Sequence, residues 1–363
     1  MTSKQKLRIA VIESMPVLRE LDAASRAMAD LLDAFTSLGH QCGLWLHGDD
    51  DVTEQVVGFA PDVIVLSRPP ATLALAPRFR SLQVPLIYFG HDLHHVRIQR
   101  ESELLGRPPT HSRMLQQVEK QCCMLCDYSV FPGPEEGPTM NTLVGKEVAG
   151  YFPYFCFHEQ DFPEPRPSGK KLIFVGGSNH GPNVDGVLWF LEHVWHQLRT
   201  DTPDVALSIC GLWTHQNLPA SIPEGVTFTG ALSELHLSSQ LQESILSIAP
   251  LRYGAGIKRK IVQALAAGLP TVTTSIGAEG LHSSLGMSAP LLIADSAEEW
   301  IAVIKDVLRD STLRRRLSLD GKEFVARRFG TAVFLKECQN LLTHAQQIAS
   351  TRIELSTEPS TAR

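Results

Sequence analysis

Short, continuous apolar runs dominate this sequence, and segments with helical periodicity separate them. The first series of runs comprises residues 7–13, 43–48, 61–70, 84–92 and 127–137. A continuous apolar run of this length is typical of a strand that is buried on both faces of a parallel sheet. Strands that alternate with helices predict an α/β fold, in which helices cover both faces of the sheet.

A second series of apolar runs follows a proline-rich, charged segment at residues 158–171, which has little to bury and reads as a linker. The runs of this series are residues 171–177, 205–211, 226–230, 244–251, 270–275 and 290–295. Each series predicts a doubly wound sheet. We therefore expect two Rossmann-like domains that face each other across a cleft, with ligands at the carboxyl ends of the strands.

The domain boundaries follow from these runs. The predicted parts are an N-terminal Rossmann-like domain (1–160), a linker (161–170), a C-terminal Rossmann-like domain (171–325), a C-terminal helix that packs back on the N-terminal domain (326–349) and a disordered tail (350–363). The tail is polar and has too few apolar residues to offset the entropy of ordering it.

The composition excludes several classes of protein. The chain has 363 residues and a net charge of −6, which argues against a general nucleic-acid binder. Seven cysteines without framework spacing indicate a reduced, cytoplasmic protein, and the C-x-x-C pair of Cys123 and Cys126 is predicted to lie on a buried helix face. The sequence contains no run of 18 apolar residues, so we expect no transmembrane helix. The first residues also lack an apolar signal region.

The basic run at residues 313–317 lies in a helical pattern. We interpret it as a solvated helix face, with contact to an anionic membrane surface as the alternative.

The stretch 253–272 crowds Lys258, Arg259 and Lys260 at the predicted start of a helix. The N-terminus of a helix already carries about +0.5 of an elementary charge, so cations there are unfavourable by about 0.3–1 kcal/mol. A bound phosphate would accept the free backbone N–H groups and pair with the lysines. The pattern therefore indicates either a phosphate site or a solvated first turn.

Three loops of the second domain should follow strand ends and meet at one place. They are residues 176–183, 250–260 and 275–281, and all three are rich in glycine or other small residues. Bare backbone amides and a helix start in these loops suit a polyanion. Gly176 and Gly177 do not follow the G-x-G-x-x-G spacing, which weakens a dinucleotide-binding interpretation.

The fourth run of the first domain ends in a histidine-rich turn that contains His91, Asp92, His94 and His95. These residue types allow three interpretations. They are ordinary metal ligands, they can supply an active-site histidine, or they form a capped loop with satisfied imidazoles.

Three segments together, residues 88–106, 174–194 and 249–281, resemble retaining glycosyltransferases of the GT-B fold, of the bacterial "group 1" type in the fourth family. The resemblance covers about residues 6–349. It implies transfer of a sugar from a nucleoside-diphosphate sugar to an acceptor hydroxyl, without a metal or other cofactor, in bacterial surface glycan or glycoconjugate synthesis. The donor would be held mainly by the second domain and the acceptor largely by the first.

The resemblance also assigns residues. Lys258 is expected at the diphosphate, and His91 matches the family histidine that contacts the transferred sugar; both are predicted catalytic residues. Asp92 and His94 are expected on the acceptor side. The predicted donor-binding residues are Gly176, Gly177, Ser178, Asn183, Arg252, Lys258, Lys260, Gln263, Gly277 and Glu279.

Two positions depart from the family pattern, which has two glutamates separated by seven residues. They are Ala255 and Gln263 here. An amide can bond a ribose hydroxyl, but it lacks the strength of a carboxylate. A non-catalytic GT-B subunit that binds a partner or glycan, and a nucleotide-sugar epimerase, therefore stay open as alternatives.

The predicted partners are a nucleotide-sugar and a glycan, lipid-linked or protein acceptor, and no nucleic acid. The predicted location is the cytoplasm, with loose attachment to the inner face of the membrane as the alternative.

Overall fold

The computed structural model describes residues 6–18, 23–158, 164–167, 169–282 and 286–357. The chain divides into two compact units. The first unit comprises Met1–His95, Thr110–Cys156 and Ala332–Arg363, and the second comprises Val96–Pro109 and Phe157–Thr331.

The first unit contains a six-stranded parallel sheet in the order β2-β1-β3-β4-β5-β6. The strands are β1 (Arg8–Glu13), β2 (Gln41–Leu46), β3 (Val63–Ser67), β4 (Leu86–Phe89), β5 (Tyr128–Phe131) and β6 (Ala149–Tyr151). The register places Ile9 opposite Cys42 on one side and Val63 on the other. All of β3 and β4 is buried, as expected for strands that helices cover on both faces.

Helices of this part of the chain alternate with the strands. They are α1 (Ala23–Ser37), α2 (Val52–Phe59), α3 (Arg68–Phe79), α4 (His94–Leu104), α5 (Thr110–Leu125) and α6 (Glu136–Val144). The residues of α4 from Val96 onward belong to the second unit. Cys123, near the end of α5, and Cys126, just after it, are buried free thiols, which confirms the predicted apolar helix face.

The second unit contains another six-stranded parallel sheet, in the order β12-β11-β10-β7-β8-β9. The strands are β7 (Lys170–Val175), β8 (Val205–Cys210), β9 (Val226–Gly230), β10 (Leu246–Ala249), β11 (Thr271–Thr273) and β12 (Leu292–Ile293). Because β7 has β8 on one side and β10 on the other, the direction of winding reverses between β7 and β10. The predicted α/β class with two Rossmann-like sheets is confirmed.

The helices of the second unit cover both faces of this sheet. They are α7 (Gly181–Phe190), α8 (His196–Asp201), α9 (Glu234–Glu243), α10 (Arg259–Ala266), α11 (Ala297–Arg309) and α12 (Ser311–Phe329), with a π-helical turn (Leu191–Trp195) between α7 and α8. Phe174, Phe190 and Trp300 are fully buried in the core. Burial of each such side chain contributes about 1.5–3 kcal/mol.

The basic run at residues 313–317 lies in α12. Arg314 donates to the carbonyl oxygens of Val307 and Leu308 at the end of α11, and Arg315 and Arg316 are exposed. The run therefore lies on an exposed helix face. No helix in the described ranges is long and apolar enough to cross a membrane.

The last helix, α13 (Thr331–Thr357), continues past the predicted boundary. The prediction of a disordered tail is wrong for residues 350–357, and residues 358–363 lie outside the described residues. Arg352 explains the difference, because its guanidinium pairs with Asp127 and donates to the carbonyl oxygen of Val84 at 3.1 Å. Side-chain anchors of this kind depend on the tertiary fold, so composition alone does not reveal them.

The predicted linker at 161–170 is described only in part, since residues 161–163 and 168 lie outside the described residues. Glu164 forms an ion pair with Lys322 at 2.6 Å. The backbone N–H of Arg166 donates to the carbonyl oxygen of Gln242 at 2.7 Å. The described part of the segment is therefore held against α9 and α12.

Candidate active site

The candidate site of the second unit lies where the winding of its sheet reverses. The loop after β7 and the loop after β10 leave from neighbouring strand ends, and β11 adds the next loop along the sheet. In open α/β sheets this reversal point is where ligands bind. The three glycine-rich loops predicted from the sequence therefore meet at the carboxyl edge of one sheet.

Lys258 is the residue before α10, and its backbone is extended. Its side chain is 8% exposed, and Nζ donates to the Gly256 carbonyl oxygen at 2.7 Å and to Glu279 Oε2 at 3.3 Å. Gly256 has a φ of +63°, a conformation that favours glycine, so the loop can turn the Gly256 carbonyl toward the ammonium group. A buried cation is thus fixed beside the N-terminus of a helix.

Lys260 lies in the first turn of α10, two residues after Lys258. Its Nζ donates to Asn183 Oδ1 and lies 4.3 Å from the centroid of the Phe174 ring. Burial lowers the pKa of Lys260 to about 7, and no carboxylate in the described part of the chain forms an ion pair with it. A half-buried cation without a carboxylate partner is a candidate group for binding an anion.

Asn183 connects this lysine to the glycine loop. Its Nδ2 donates to the Gly177 carbonyl oxygen at 2.8 Å, while its Oδ1 accepts from Lys260. A Cβ on Gly176 would lie 2.6 Å from Lys260 Nζ. A side chain at position 176 would therefore displace the lysine ammonium group and the asparagine amide.

Glu279 forms a second link. Arg100 of α4 forms a bidentate ion pair with the Glu279 carboxylate, with N–O distances of 2.7 and 2.8 Å. Arg100 also donates to the Gly254 carbonyl oxygen at 2.7 Å. Burial acts to raise the pKa of Glu279, but the hydrogen bonds from Arg100 and the charge of Lys258 outweigh it, so the pKa is lowered. Glu279 is therefore an ionised carboxylate between two cations.

The other predicted donor residues have mainly structural contacts in this state. Arg252 pairs with Asp185 through two nitrogens, one of them at 2.9 Å, so its guanidinium is held by a carboxylate. The Ser178 hydroxyl accepts from the backbone N–H of Thr214 at 3.0 Å. Gly277 donates its N–H to Thr274, and a Cβ there would lie 1.9 Å from Thr273 Oγ1.

Gln263, at the position of a family glutamate, lies on α10 two residues after Ile261 and is half-buried. Its side chain forms no hydrogen bond with the residues that the structure describes. Ala255 lies in the loop between Gly254 and Gly256 and brings no polar group.

The histidine turn of the first unit is held by two buried carboxylates. Glu136 accepts from the backbone N–H of Leu93, and Glu119 accepts from the backbone N–H of His94 and from the His95 ring. Asp92 and His94 form their own pair at 2.6 Å. Over the ranges described, no group of three or more His, Cys, Asp and Glu side chains is placed to hold a metal ion.

His91 lies at the carboxyl edge of the first sheet, two residues after β4. Its Nε2 is 2.8 Å from the Ser67 hydroxyl, and its ring packs edge-on against Phe89 and Tyr154. Burial, supported by the positive charge of Arg68, lowers the pKa of His91 to about 3. His91 is therefore neutral at pH 7, and a neutral imidazole does not act as a cationic acid.

Several residues of these sites escaped the sequence analysis. Arg100 and Asp185 pair with predicted residues across long separations in sequence, and Ser67 contacts His91. The sequence signal was position, since Ser67 lies within the predicted strand run 61–70 and Arg100 lies within a segment that carries the family resemblance.

Two Rossmann-like parallel sheets, with a glycine loop and a lysine-headed helix in the second, are the architecture of the GT-B fold. Residues 169–310 match the family model "Glycosyl transferases group 1". The resemblance seen in the sequence is thus confirmed over these residues of the second unit.

Solved structures show the same fold over nearly the whole chain. Sucrose-phosphate synthase from Thermosynechococcus elongatus has a TM-score of 0.75 at 14% identity, covering 93% of this chain and 99% of that chain. HepE from Anabaena, solved in complex with UDP-glucose, has a TM-score of 0.65 at 15% identity, covering 93% of this chain and 100% of that chain. At these identities the likeness shows the fold.

A curated relative is described as an uncharacterized 44.6 kDa protein in the cps region of Klebsiella pneumoniae. It is 28% identical over 122 residues, which are 32% of this chain and 31% of that protein. The chain therefore matches about a third of the relative's length.

Proposed function

We propose that this protein transfers a sugar from a nucleoside-diphosphate sugar to an acceptor hydroxyl. The observation that carries the proposal is the convergence of the Gly176 loop, the N-terminus of α10 and the buried ammonium groups of Lys258 and Lys260 at one end of a sheet. A diphosphate is the common ligand that combines enough charge and enough acceptor oxygens to satisfy all three.

The proposed chemistry follows from where negative charge develops. As the bond between the sugar and the diphosphate breaks, charge accumulates on the leaving phosphate. Lys258 and Lys260 are held by neighbouring carbonyl groups before the donor arrives, so little reorganisation is needed during the reaction. Each charge-assisted hydrogen bond to the phosphate contributes about 1.5–3 kcal/mol.

Glu279 has a defined part in this proposal. Its carboxylate accepts from Lys258 and Arg100. A bound diphosphate would take over the Lys258 ammonium group, and Glu279 would remain paired with Arg100 or turn to a sugar hydroxyl. Gly277 would let the backbone come close to the donor.

We further propose that transfer retains the anomeric configuration and needs no metal ion. Retention rests on the resemblance to the fourth family. Metal independence rests on the cation supply, since two lysines and a helix N-terminus provide the positive charge that a divalent ion would otherwise bring.

The acceptor is proposed to be a glycan, either free, lipid-linked or on a protein, in bacterial surface glycan synthesis. The relative encoded in a cps region supports this role. His91, Asp92 and His94 of the first unit stay predicted sugar- and acceptor-side residues. Because HepE is solved with UDP-glucose, a UDP-sugar is the first donor to test.

A non-catalytic subunit is the second candidate. Gln263 and Ala255 at the positions of the family glutamates favour it, because a carboxylate at the ribose or sugar is absent from both. The two candidates differ in a simple measurement: an enzyme turns over its donor, whereas a binding subunit binds a nucleotide or glycan without turnover.

The test is a calorimetric screen with UDP, GDP, ADP and dTDP, followed by donor turnover with the corresponding sugars. We expect micromolar to millimolar binding of one nucleotide, and a loss of more than tenfold in turnover for Lys258→Ala, from one lost charge-assisted bond. Lys170→Ala is the matched control, because Lys170 begins β7 at the opposite edge of the same sheet and pairs with Asp204.

Two results would contradict the proposal. One is the absence of binding to all four nucleotides at millimolar concentration. The other is turnover of Lys258→Ala within about threefold of wild type, a change of less than about 0.7 kcal/mol in the barrier.

A further inference from the structure

A hydrogen-bonded chain in the first unit connects three neighbouring strand ends. Glu13 ends β1, Ser67 ends β3, and His91 follows β4. The Ser67 hydroxyl lies 2.6 Å from Glu13 Oε2 and 2.8 Å from His91 Nε2. All three side chains are buried, with 2% exposure for Glu13 and 9% for His91. We call these three residues the Glu13 relay.

The Glu13 carboxylate is itself held in place. Its Oε1 accepts from Arg68 Nε at 3.0 Å and from the backbone N–H of Ser14 at 2.6 Å. Both carboxyl oxygens of Glu13 thus act as hydrogen-bond acceptors, Oε1 for Arg68 and Ser14 and Oε2 for the Ser67 hydroxyl.

The Ser67 hydroxyl has a single proton, so the relay has one favourable arrangement. If the proton points to Glu13, the Ser67 oxygen accepts from an Nε2–H of His91. If it points to His91, an unprotonated carboxylate oxygen faces a hydroxyl lone pair at 2.6 Å, which is repulsive. The first arrangement fixes the imidazole proton on Nε2 and leaves Nδ1 as an acceptor.

His91 Nδ1 is buried and has no hydrogen-bond partner among the described residues. A buried acceptor without a partner is costly and calls for an explanation. A ligand hydroxyl that reaches Nδ1 by displacing the groups that cover it would supply the missing bond. The edge-on contacts with Phe89 and Tyr154 keep the ring from rotating to satisfy Nδ1 elsewhere.

The backbone beside the relay is strained. Arg68 has a φ of +70°, which is unfavourable by about 1–3 kcal/mol for a residue other than glycine. This conformation follows Ser67 directly and belongs to the residue whose side chain pairs with Glu13. Strain that persists at one point of a fold is commonly found at functional sites.

We propose that Glu13 and Ser67 are positioning residues, which hold His91 as its Nε2–H tautomer and present Nδ1 to accept a hydrogen bond from a ligand hydroxyl. The identity of that hydroxyl rests on the proposed function, in which it belongs to a sugar. The tautomer itself depends only on the relay.

The tautomer is measured by two-bond ¹H–¹⁵N correlation spectra of the full chain with ¹⁵N-labelled histidine at pH 7, and His91→Gln assigns the signals. We expect a protonated Nε2 and an unprotonated Nδ1 in the wild type. In Glu13→Gln the new amide can donate to the Ser67 oxygen, which frees the hydroxyl proton for Nε2, so the Nδ1–H tautomer should appear. Glu54→Gln, an exposed carboxylate on α2, is the matched control and should leave the tautomer unchanged.

Ser67→Ala is the second variant, because it removes the central hydroxyl without adding a donor. We expect a mixture of tautomers and a loss of donor turnover of about tenfold, equivalent to one hydrogen bond. Melting curves establish that each variant is folded. A purely structural role of Glu13 and Ser67 would change stability but not the tautomer.

The ligand is tested by adding UDP-glucose, or the donor found by the nucleotide screen, to the labelled protein. We expect the His91 Nδ1 signal to shift as it gains a hydrogen bond. A protonated Nδ1 in the wild type, or an unchanged tautomer in Glu13→Gln, would overturn the proposal, as would an unshifted Nδ1 signal under a donor whose binding is seen calorimetrically. Absence of binding to every donor would instead count against the proposed function and leave the tautomer result standing.

Discussion

Lys260→Met should stabilise the protein without ligand while it weakens donor binding. Methionine keeps the length of the side chain over the Phe174 ring but removes the charge. The native lysine is held partly buried without a carboxylate, and burial lowers its pKa from 10.5 to about 7. Under the proposed function, a bound diphosphate would relieve this cost.

The size of the effect follows from the pKa. At about 1.4 kcal/mol per pKa unit, the difference between 10.5 and about 7 corresponds to at most about 5 kcal/mol. The side chain keeps some solvent exposure, and Asn183 and the Phe174 ring favour the charged form. We therefore expect a net gain of about 2 kcal/mol in the free energy of unfolding at pH 7, or about 4–8 °C in melting temperature for a unit of this size.

The stability difference between Lys260→Met and wild type should depend on pH in one direction. The pKa of Lys260 is lower in the folded state than in the unfolded state, so the unfolded chain binds more protons between pH 7 and pH 10.5. The destabilisation by Lys260 is fully present below pH 7 and disappears as the pH approaches 10.5. The advantage of Lys260→Met should thus shrink steadily from pH 7 to pH 10.

The assay is paired melting of wild type and Lys260→Met at pH 7, 8.5 and 10, with nucleotide affinity by calorimetry at pH 7. We expect the affinity to fall by about tenfold or more, from one lost charge-assisted bond. The reasoning is refuted if the variant is less stable than wild type at pH 7, or if the difference in stability does not change with pH.

Three further variants test other parts of the account. Gly176→Ala should weaken nucleotide binding by about tenfold, because its Cβ would lie 2.6 Å from Lys260 Nζ; Gly58→Ala, where a Cβ meets nothing within 4 Å, should not, and equal affinities by calorimetry would count against the close approach. Glu136→Ala should lower the free energy of unfolding by about 3 kcal/mol, since two backbone N–H groups lose a charged acceptor; a change below about 1 kcal/mol in denaturant unfolding would exclude this role. Arg352→Ala should speed amide hydrogen exchange in the last turns of α13, and unchanged exchange there would show that Asp127 does not anchor this helix.

The architecture was predictable because the apolar runs of the central strands are buried on both faces of a parallel sheet. The apolar pattern of runs such as residues 63–67 and 171–175 is visible in the sequence alone. The loops that follow these runs then lie at the carboxyl ends of the strands. Gly176, Lys258 and Lys260 could be placed together for this reason.

The partners of those residues could not be predicted, because pairing depends on side chains that are far apart in sequence. Arg252 was expected to face a phosphate, and Asp185 holds it instead. Arg100 reaches Glu279 from a helix 179 residues earlier in the chain, and no local pattern encodes that distance.

The extent of the last helix was missed for a related reason. The segment after residue 349 is polar, and its composition predicts disorder, yet Arg352 in this segment forms an ion pair with Asp127. A single partly buried ion pair outweighs a weak compositional preference when the fold brings the partner within reach.

The central claim concerns the β-phosphate, and the ratio of affinities for a nucleoside diphosphate and its monophosphate tests it directly. Calorimetry with the tightest nucleotide of the screen should give a ratio of about tenfold or more for wild type and for Lys170→Met. For Lys258→Met, which keeps the buried stem of the side chain, the account predicts that the ratio falls to about one. A ratio that stays at the wild-type value in Lys258→Met would contradict it.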